Sequence, residues 1–144
     1  MFTTLIDSNS LFDQLNNTNL IIFDARYDLM NKSAGREAYL QSHIPGAIYV
    51  DLHLDLSRPP AINGGRHPLP DKKTINKLFS ELGICKEKLV VVYDDTFGSF
   101  AARLWWMLKH MQHDKVAVLD GGWQHWVDSG GTVSSKNEIR ITSQ

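Results

Sequence analysis

The amino-acid sequence predicts an α/β domain in which a mostly parallel sheet carries helices on both faces. Short apolar runs typical of buried strands alternate along the chain with stretches of helical periodicity. The strongest run contains Val90, Val91 and Val92 in succession, a pattern typical of a strand that is covered on both sides. The length of 144 residues suits one domain that is large enough to bury a core.

Four strands are predicted from the apolar runs. They cover residues 20–26, 47–52, 89–94 and 115–120. In open α/β sheets, ligands bind beyond the carboxyl ends of the strands. Two of these ends stand out, one from Arg26 onward and the other from Asp94 onward, because polar loops follow them.

Four helices are predicted between and after these strands. They cover residues 71–82, 98–112 and 122–129, with another near residues 8–16. The helix over 98–112 carries an apolar stripe on one face and places Trp106 on the other, beside Lys109 and His110. A tryptophan on a polar helix face more often contacts a partner surface, and the alternative is partial burial under a neighbouring loop.

The composition indicates a globular domain and excludes several classes of function. The net charge of −1 leaves no basic field for nucleic acid or for an anionic membrane. No signal peptide is recognised at the N-terminus, and no apolar run reaches the length of a membrane span. A single cysteine, Cys85, cannot form an internal disulfide, so we expect a reducing compartment and a cytoplasmic location.

The last residues differ in composition from the rest of the chain. Residues 132–144 are polar and rich in Ser and Thr, and they follow a glycine pair. Such a stretch does not complete an element of its own. We therefore expect a single domain over residues 1–131, with residues 132–144 as a linker or a disordered tail.

The segment VVVYDDTFGSFAARLWW, residues 90–106, has the form of an active-site loop. A strand end followed by a short loop and a helix start presents backbone N–H groups that suit an anion or a thiolate. The loop nevertheless begins with Asp94 and Asp95, which repel anions and are not soft nucleophiles. We expect these carboxylates to cap the helix instead.

Other residues that often carry chemistry give weaker signals. Cys85 follows a helix C-terminus, where the helix dipole disfavours a thiolate, and we expect a half-buried spacer. His110 and His113 lack further ligands at zinc spacing, so neither a metal nor a cofactor is expected. In GGRHPLPD, Arg66 suits a small anion and His67 suits its orientation or proton transfer, although a solvated surface loop explains them equally well.

Several segments, in this order, resemble the N-terminal half of a two-domain rhodanese, a family of thiosulfate and 3-mercaptopyruvate sulfurtransferases. They are HIPGAIYVDL, GRHPLPD and VVVYDDTFGSFAARLWWMLKHMQHDKVAVLDGGWQHW, and the resemblance covers about residues 20–131. The combination of GRHPLP, FAARLWWML and LDGGW is specific for the first of two tandem domains. The resemblance implies a rhodanese-like, doubly wound α/β fold.

The resemblance also implies where the chemistry takes place. Active rhodanese domains carry a cysteine just after the strand that matches residues 89–93, and this cysteine receives sulfur as a persulfide. Asp94 stands there, so no catalytic residue is expected in this chain. The implied partner is a catalytic C-terminal domain of the same parent chain, and a small sulfur donor would bind only in the intact enzyme. The residues expected at the substrate entrance or the interdomain face are Arg66, His67, Asp95, Phe97, Phe100 and Trp106.

Two alternatives belong to other classes. A free-standing rhodanese-like pseudoenzyme would bind a protein partner through Trp106 and residues 94–98. A reading frame that continues past Gln144 into a domain with a loop cysteine would exclude this alternative. A phosphatase of the same fold needs His-Cys-x5-Arg in the loop, and residues 93–103 contain no cysteine.

Overall fold

The computed structural model describes residues 4–57 and 69–136, in which strands and helices alternate. The strands are β1 (Leu5–Ile6), β2 (Leu20–Asp24), β3 (Ile48–Tyr49), β4 (Leu89–Tyr93) and β5 (Val116–Leu119). The helices are α1 (Ser8–Gln14), α2 (Ala34–Gln41), α3 (Lys72–Glu81), α4 (Ala101–His110) and α5 (Gly122–Asp128). No helix in the described ranges is long and apolar enough to cross a membrane.

The strands form one sheet in the order β1-β5-β4-β2-β3. Every strand pairing among the described residues is parallel, which confirms the predicted fold class. The sequence prediction missed β1 and α2, and the predicted strand over 47–52 contracts to β3. The prediction missed α2 because this helix buries only Gly35 and Tyr39, too few residues to produce an apolar period.

Each face of the sheet has its own core. Val90 and Val92 of β4 pack into a cluster with the apolar faces of α3 and α4. Val91 and Tyr93 point the other way, into a cluster with residues of α1, α2 and α5. This alternation follows from the two-residue period of a strand. Helices on both faces therefore bury β4 from Val90 to Tyr93, which holds its carboxyl end in position.

The chain beyond α5 remains attached to the domain as far as Ser134. The Trp126 indole N–H donates to the Thr132 carbonyl at 2.8 Å. The backbones of His43 and Ser134 exchange two hydrogen bonds, each of 2.8 Å. Gly131 permits this path, because a Cβ there would collide with the Trp126 ring. The domain end at residue 131 stays a prediction.

Candidate functional site

The candidate site lies at the carboxyl edge of the sheet. In a parallel sheet the loops that follow the strands all leave from the same edge. Strands β2 and β4 are neighbours, with Asp24 paired to Tyr93 in register. The polar residues that follow these two strands therefore meet.

Asp94 is the centre of the loop between β4 and α4. Its side chain is buried, with 1% of the residue exposed. One carboxylate oxygen accepts the N–H groups of Thr96 at 3.0 Å and Gly98 at 2.9 Å. The other accepts those of Phe100 at 2.9 Å and Ala101 at 2.8 Å. These donors include groups that a helix start leaves unpaired, which confirms the predicted capping role of Asp94.

The same hydrogen bonds hold the loop in a strained conformation. Phe97 has a φ of 60° and Gly98 a φ of 88°, both in the left-handed region. For a bulky residue this conformation is unusual and costs about 1–2 kcal/mol. The Phe97 ring is nevertheless fully exposed to solvent, so no packing of its own offsets the strain. Strained residues of this kind concentrate at functional sites.

A buried ion pair supports the loop from β2. The Arg26 guanidinium donates from Nη2 to Asp24 Oδ2 at 2.6 Å, and its Nε also contacts this carboxylate. Burial alone would lower the pKa of Arg26. The hydrogen bond and the negative charge of Asp24 outweigh this effect, so the pKa of Arg26 lies above its ordinary value. Tyr93 donates to the same carboxylate at 2.8 Å, and burial and Asp24 raise the pKa of this phenol well above its usual range. The guanidinium also lies over the Trp123 ring, 4.3 Å from its centroid.

A cleft of about 640 Å³ opens between the loop after β2 and the loop after β4. Tyr27 and Phe100 meet edge to face in its wall, with 5.6 Å between ring centroids. Desolvation raises the pKa of Asp95, and the charges of Asp94 and Asp24 raise it further, whereas Arg26 opposes them. The lining residues are Arg26, Tyr27, Asp28, Leu29, Ala34, Gly35, Ala38, Asp95, Thr96 and Phe100.

The structure brings only some of the predicted site residues together. Asp95 and Phe100 share the cleft, so Asp95 lines a wall instead of capping α4 with Asp94. Phe97 projects from the adjoining loop. Trp106 lies apart from them on the outer face of α4, 46% exposed, with its ring stacked on His110 at 4.8 Å. Arg66 and His67 lie outside the described residues.

Cys85 is exposed, so the expectation of a half-buried spacer was wrong. The residue lies in a turn after α3, where the Lys88 N–H donates to the Cys85 carbonyl at 3.0 Å. This turn leads into β4, so Cys85 lies at the amino edge of the sheet. The length of β4, about 13 Å for four steps of about 3.3 Å, separates that edge from Asp94.

Comparison with known proteins identifies the family. Residues 8–129 match the rhodanese-like domain. The chain belongs to the rhodanese-like family. It is 39% identical over 128 residues to a probable 3-mercaptopyruvate sulfurtransferase of Pseudomonas aeruginosa, covering 88% of this chain and 45% of that protein. It is also 39% identical over 114 residues to the putative thiosulfate sulfurtransferase SseB of Mycobacterium tuberculosis, covering 79% of this chain and 40% of that protein.

Solved structures agree with this assignment. The 3-mercaptopyruvate sulfurtransferase from Leishmania major superposes with a TM-score of 0.88 at 28% identity, covering 99% of this chain and 39% of that one. SseA from Escherichia coli gives a TM-score of 0.80 at 28% identity, covering 96% of this chain and 54% of that one. The rhodanese-like fold is thereby confirmed. The chain spans less than half the length of the curated relatives above.

The sequence reasoning missed a set of apolar side chains at the carboxyl edge of this rhodanese-like domain. Met30, in the loop after β2, is 92% exposed, and Leu54, in the loop after β3, is 77% exposed. Together with Phe97, Met30 and Leu54 place large apolar side chains on three loops that leave the same edge of the sheet. The signal in the sequence is an apolar residue inside a polar loop, and it gains meaning only once the strand order is known.

Proposed function

We propose that this chain is the non-catalytic N-terminal domain of a two-domain sulfurtransferase. The enzyme would move sulfane sulfur from thiosulfate or 3-mercaptopyruvate to a thiol or to cyanide. The sulfur would travel as a persulfide on a cysteine of the C-terminal domain. In this proposal residues 132–144 begin the hinge, and the intact enzyme is cytoplasmic.

The observation that carries the proposal is the buried Asp94 carboxylate. Asp94 occupies the position after β4 at which the resemblance to active rhodaneses calls for a cysteine. A carboxylate that is tied to four backbone N–H groups cannot accept sulfur. Cys85, the sole cysteine of the sequence, is separated from this loop by the length of β4.

The role proposed for the domain is to close one side of the substrate entrance. Exposed apolar groups on Met30, Leu54 and Phe97 favour a contact surface, because isolated domains rarely expose such side chains together. The cleft beside them offers an aromatic wall of Tyr27 and Phe100. The relatives, of which this chain spans 45% and 40%, are long enough to contain a second domain.

A free-standing binding module would use the same surface. The fully exposed Phe97 favours this second candidate as much as the first, because it indicates contact and not chemistry. The genomic reading frame separates the two candidates. Continuation past Gln144 into a rhodanese-like domain with a loop cysteine supports the sulfurtransferase, and a stop codon there supports the module.

An assay of the chain alone tests the absence of catalysis. Purified chain is mixed with thiosulfate or 3-mercaptopyruvate and cyanide, and thiocyanate is measured. We expect no turnover above background in the natural chain or in Cys85→Ser. Turnover that survives Cys85→Ser would reject the proposal, and turnover that this substitution abolishes would assign the nucleophile to Cys85.

A further inference from the structure

We propose that a cavity between α1 and the end of α5 is a binding site for an uncharged aromatic molecule of one or two fused rings. The cavity has a volume of about 200 Å³ and shares no lining residue with the cleft at the carboxyl edge. The Ser8 hydroxyl would form a hydrogen bond with the polar group of the ligand. This site goes beyond the proposed function and does not depend on it.

The size and the walls of the cavity suit a small planar ring. An apolar cavity of about 150 Å³ is large enough to bind benzene. The volume here therefore leaves room for a substituent or for a second fused ring. Phe12 on α1 and Trp126 on α5 supply aromatic walls. Among the described residues that line the cavity none is charged, which favours a neutral ligand.

A buried polar group in the wall lacks a partner. Ser8 is 6% exposed, and its hydroxyl oxygen has no hydrogen-bond partner within the described residues. Ser8 and Phe12 are one helical turn apart on α1, a spacing that places both side chains on one face of the helix, and both residues line the cavity. A buried hydroxyl without a partner is uncommon in native proteins. A hydrogen-bonding group on a bound ligand would satisfy it.

The two aromatic walls differ in how firmly they are held. Trp126 belongs to the core and is 1% exposed, and its indole N–H donates to the Thr132 carbonyl at 2.8 Å, so it offers a fixed ring to the ligand. Phe12 is 54% exposed and forms the rim. A Cβ at Gly130, which also lines the cavity, would meet no described atom within 4 Å beyond its chain neighbours, so the cavity is open at this glycine. A ligand would therefore enter there and bury part of the exposed Phe12 ring.

Phenol and toluene are matched probes, because they have the same number of non-hydrogen atoms and only phenol forms hydrogen bonds through a hydroxyl. Each is titrated into the isotope-labelled full chain, and the NMR signals of the backbone and indole N–H groups are followed. In the natural chain we expect phenol to shift the signals of residues 8–12, of Gly130 and of the Trp126 indole. The expected Kd is on the order of 1 mM, as befits so small a ligand.

Variants separate the hydroxyl from the aromatic wall. Ser8→Ala should weaken phenol binding about 3–10-fold, the range of one net hydrogen bond, and should not weaken toluene binding. This variant should fold because Asp7 caps α1; if it does not, Ser8→Cys replaces it with a weaker hydrogen-bonding group of similar size. Phe12→Ala should weaken the binding of both probes. Phe97→Ala is the control, since it removes an exposed ring outside the cavity and should bind both probes like the natural chain.

Three results would overturn the site. The first is a set of shifted signals scattered over the surface, which would mean adventitious association only. The second is phenol binding by Ser8→Ala that equals binding by the natural chain, or that falls together with toluene binding. The third is an equal loss of binding in Phe97→Ala and Phe12→Ala. None of these results bears on turnover, so the proposed function would stand. Conversely, sulfur transfer by the chain alone would reject the proposed function and leave this site intact.

Discussion

Gly35, in the first turn of α2, shows how one residue fixes the geometry of the cleft. The helix approaches β2 so closely that a Cβ at this position would collide with the Arg26 carbonyl oxygen and lie 2.6 Å from the Tyr49 hydroxyl. That hydroxyl donates to the same carbonyl at 2.9 Å. The absent side chain at Gly35 therefore lets α2 form one wall of the cleft.

The substitution Gly35→Ala is expected to destabilise the chain. Overpacking of a tight contact typically costs about 1–3 kcal/mol, although Ala in place of Gly normally favours a helix by about 1 kcal/mol. Urea unfolding followed by circular dichroism measures the difference. Arg36→Ala is the matched control, because Arg36 is exposed and its loss should change stability by less than about 0.5 kcal/mol. A more stable Gly35→Ala would contradict the close approach.

Asp95 is expected to make stability depend on pH. Its pKa is raised in the folded chain, chiefly by desolvation and also by the charges of Asp94 and Asp24. Ionisation of Asp95 therefore opposes folding, and this cost grows as the pH rises from the ordinary pKa to the raised one and is complete above the raised pKa. Asp95→Asn should have the higher Tm at pH 7, by a small margin because Asp95 is only partly shielded from solvent, which screens its charge.

The advantage of Asp95→Asn should shrink as the pH falls through the raised pKa towards the ordinary value of 3.8. Thermal unfolding of both chains between neutral and acid pH measures this trend. A difference in Tm that stays constant with pH, or that favours Asp95 at neutral pH, would exclude the expected effect.

At the scale of elements, α4 and the loop before it form one unit. The Asp94 carboxylate joins the end of β4 to the first turn of α4 and holds Phe97 in the left-handed region. The loop therefore presents an exposed aromatic ring at a conformational cost. Such a cost is retained when it serves contact or activity and not the stability of the domain itself.

Removal of this strain is expected to stabilise the isolated chain. Phe97→Gly should raise the free energy of unfolding by up to about 1 kcal/mol, because glycine adopts the left-handed conformation without the clash of a Cβ. Phe97→Ala is the control, since it removes the same ring and keeps the Cβ. Chemical denaturation compares the two variants. If Phe97→Gly is less stable than Phe97→Ala by about 0.4–1 kcal/mol, the entropic cost of glycine alone, the conformation of Phe97 is not strained.

The elements differ in how far the sequence predicts them. Strand β4 and helix α4 were predicted because their own apolar periods are long enough, and Asp94 was predicted as a cap because an acid precedes the helix. Helix α2 was missed because a glycine and a tyrosine form its buried face. The exposed apolar side chains of Met30 and Leu54 at one edge were missed, because their common position depends on which strands are neighbours and this property is absent from any local pattern.

At the scale of the whole molecule, two cores cover both faces of the sheet, and Met30, Leu54 and Phe97 expose large apolar side chains on loops at its carboxyl edge. The ion pair of Arg26 with Asp24 and the cap by Asp94 hold the starts of two loops at that edge. This chain spans 45% and 40% of two relatives, and under the proposed function a second domain of the same parent chain would cover this edge. Under that proposal the domain acts as a preformed docking surface.

Substitutions in the intact parent protein test this docking. Phe97→Ala is expected to lower kcat/KM about 5–30-fold, the range of a buried aromatic contact that is worth about 1–2 kcal/mol. It should also speed proteolysis of the hinge, because the domains separate more often. Phe12→Ala is the matched control: Phe12 is 54% exposed on α1, outside the cleft and its loops, and its removal should change neither measurement.

Trp106→Ala in the same protein determines how far the interface extends. Trp106 lies on the outer face of α4 and not in the cleft, so its contribution requires a second domain that reaches across both surfaces. We expect weaker docking and lower kcat/KM, as for Phe97→Ala. If Trp106→Ala behaves like the natural protein while Phe97→Ala does not, the interface is confined to the carboxyl edge. If both variants match the natural protein in activity and in proteolysis of the hinge, neither aromatic side chain contributes to docking.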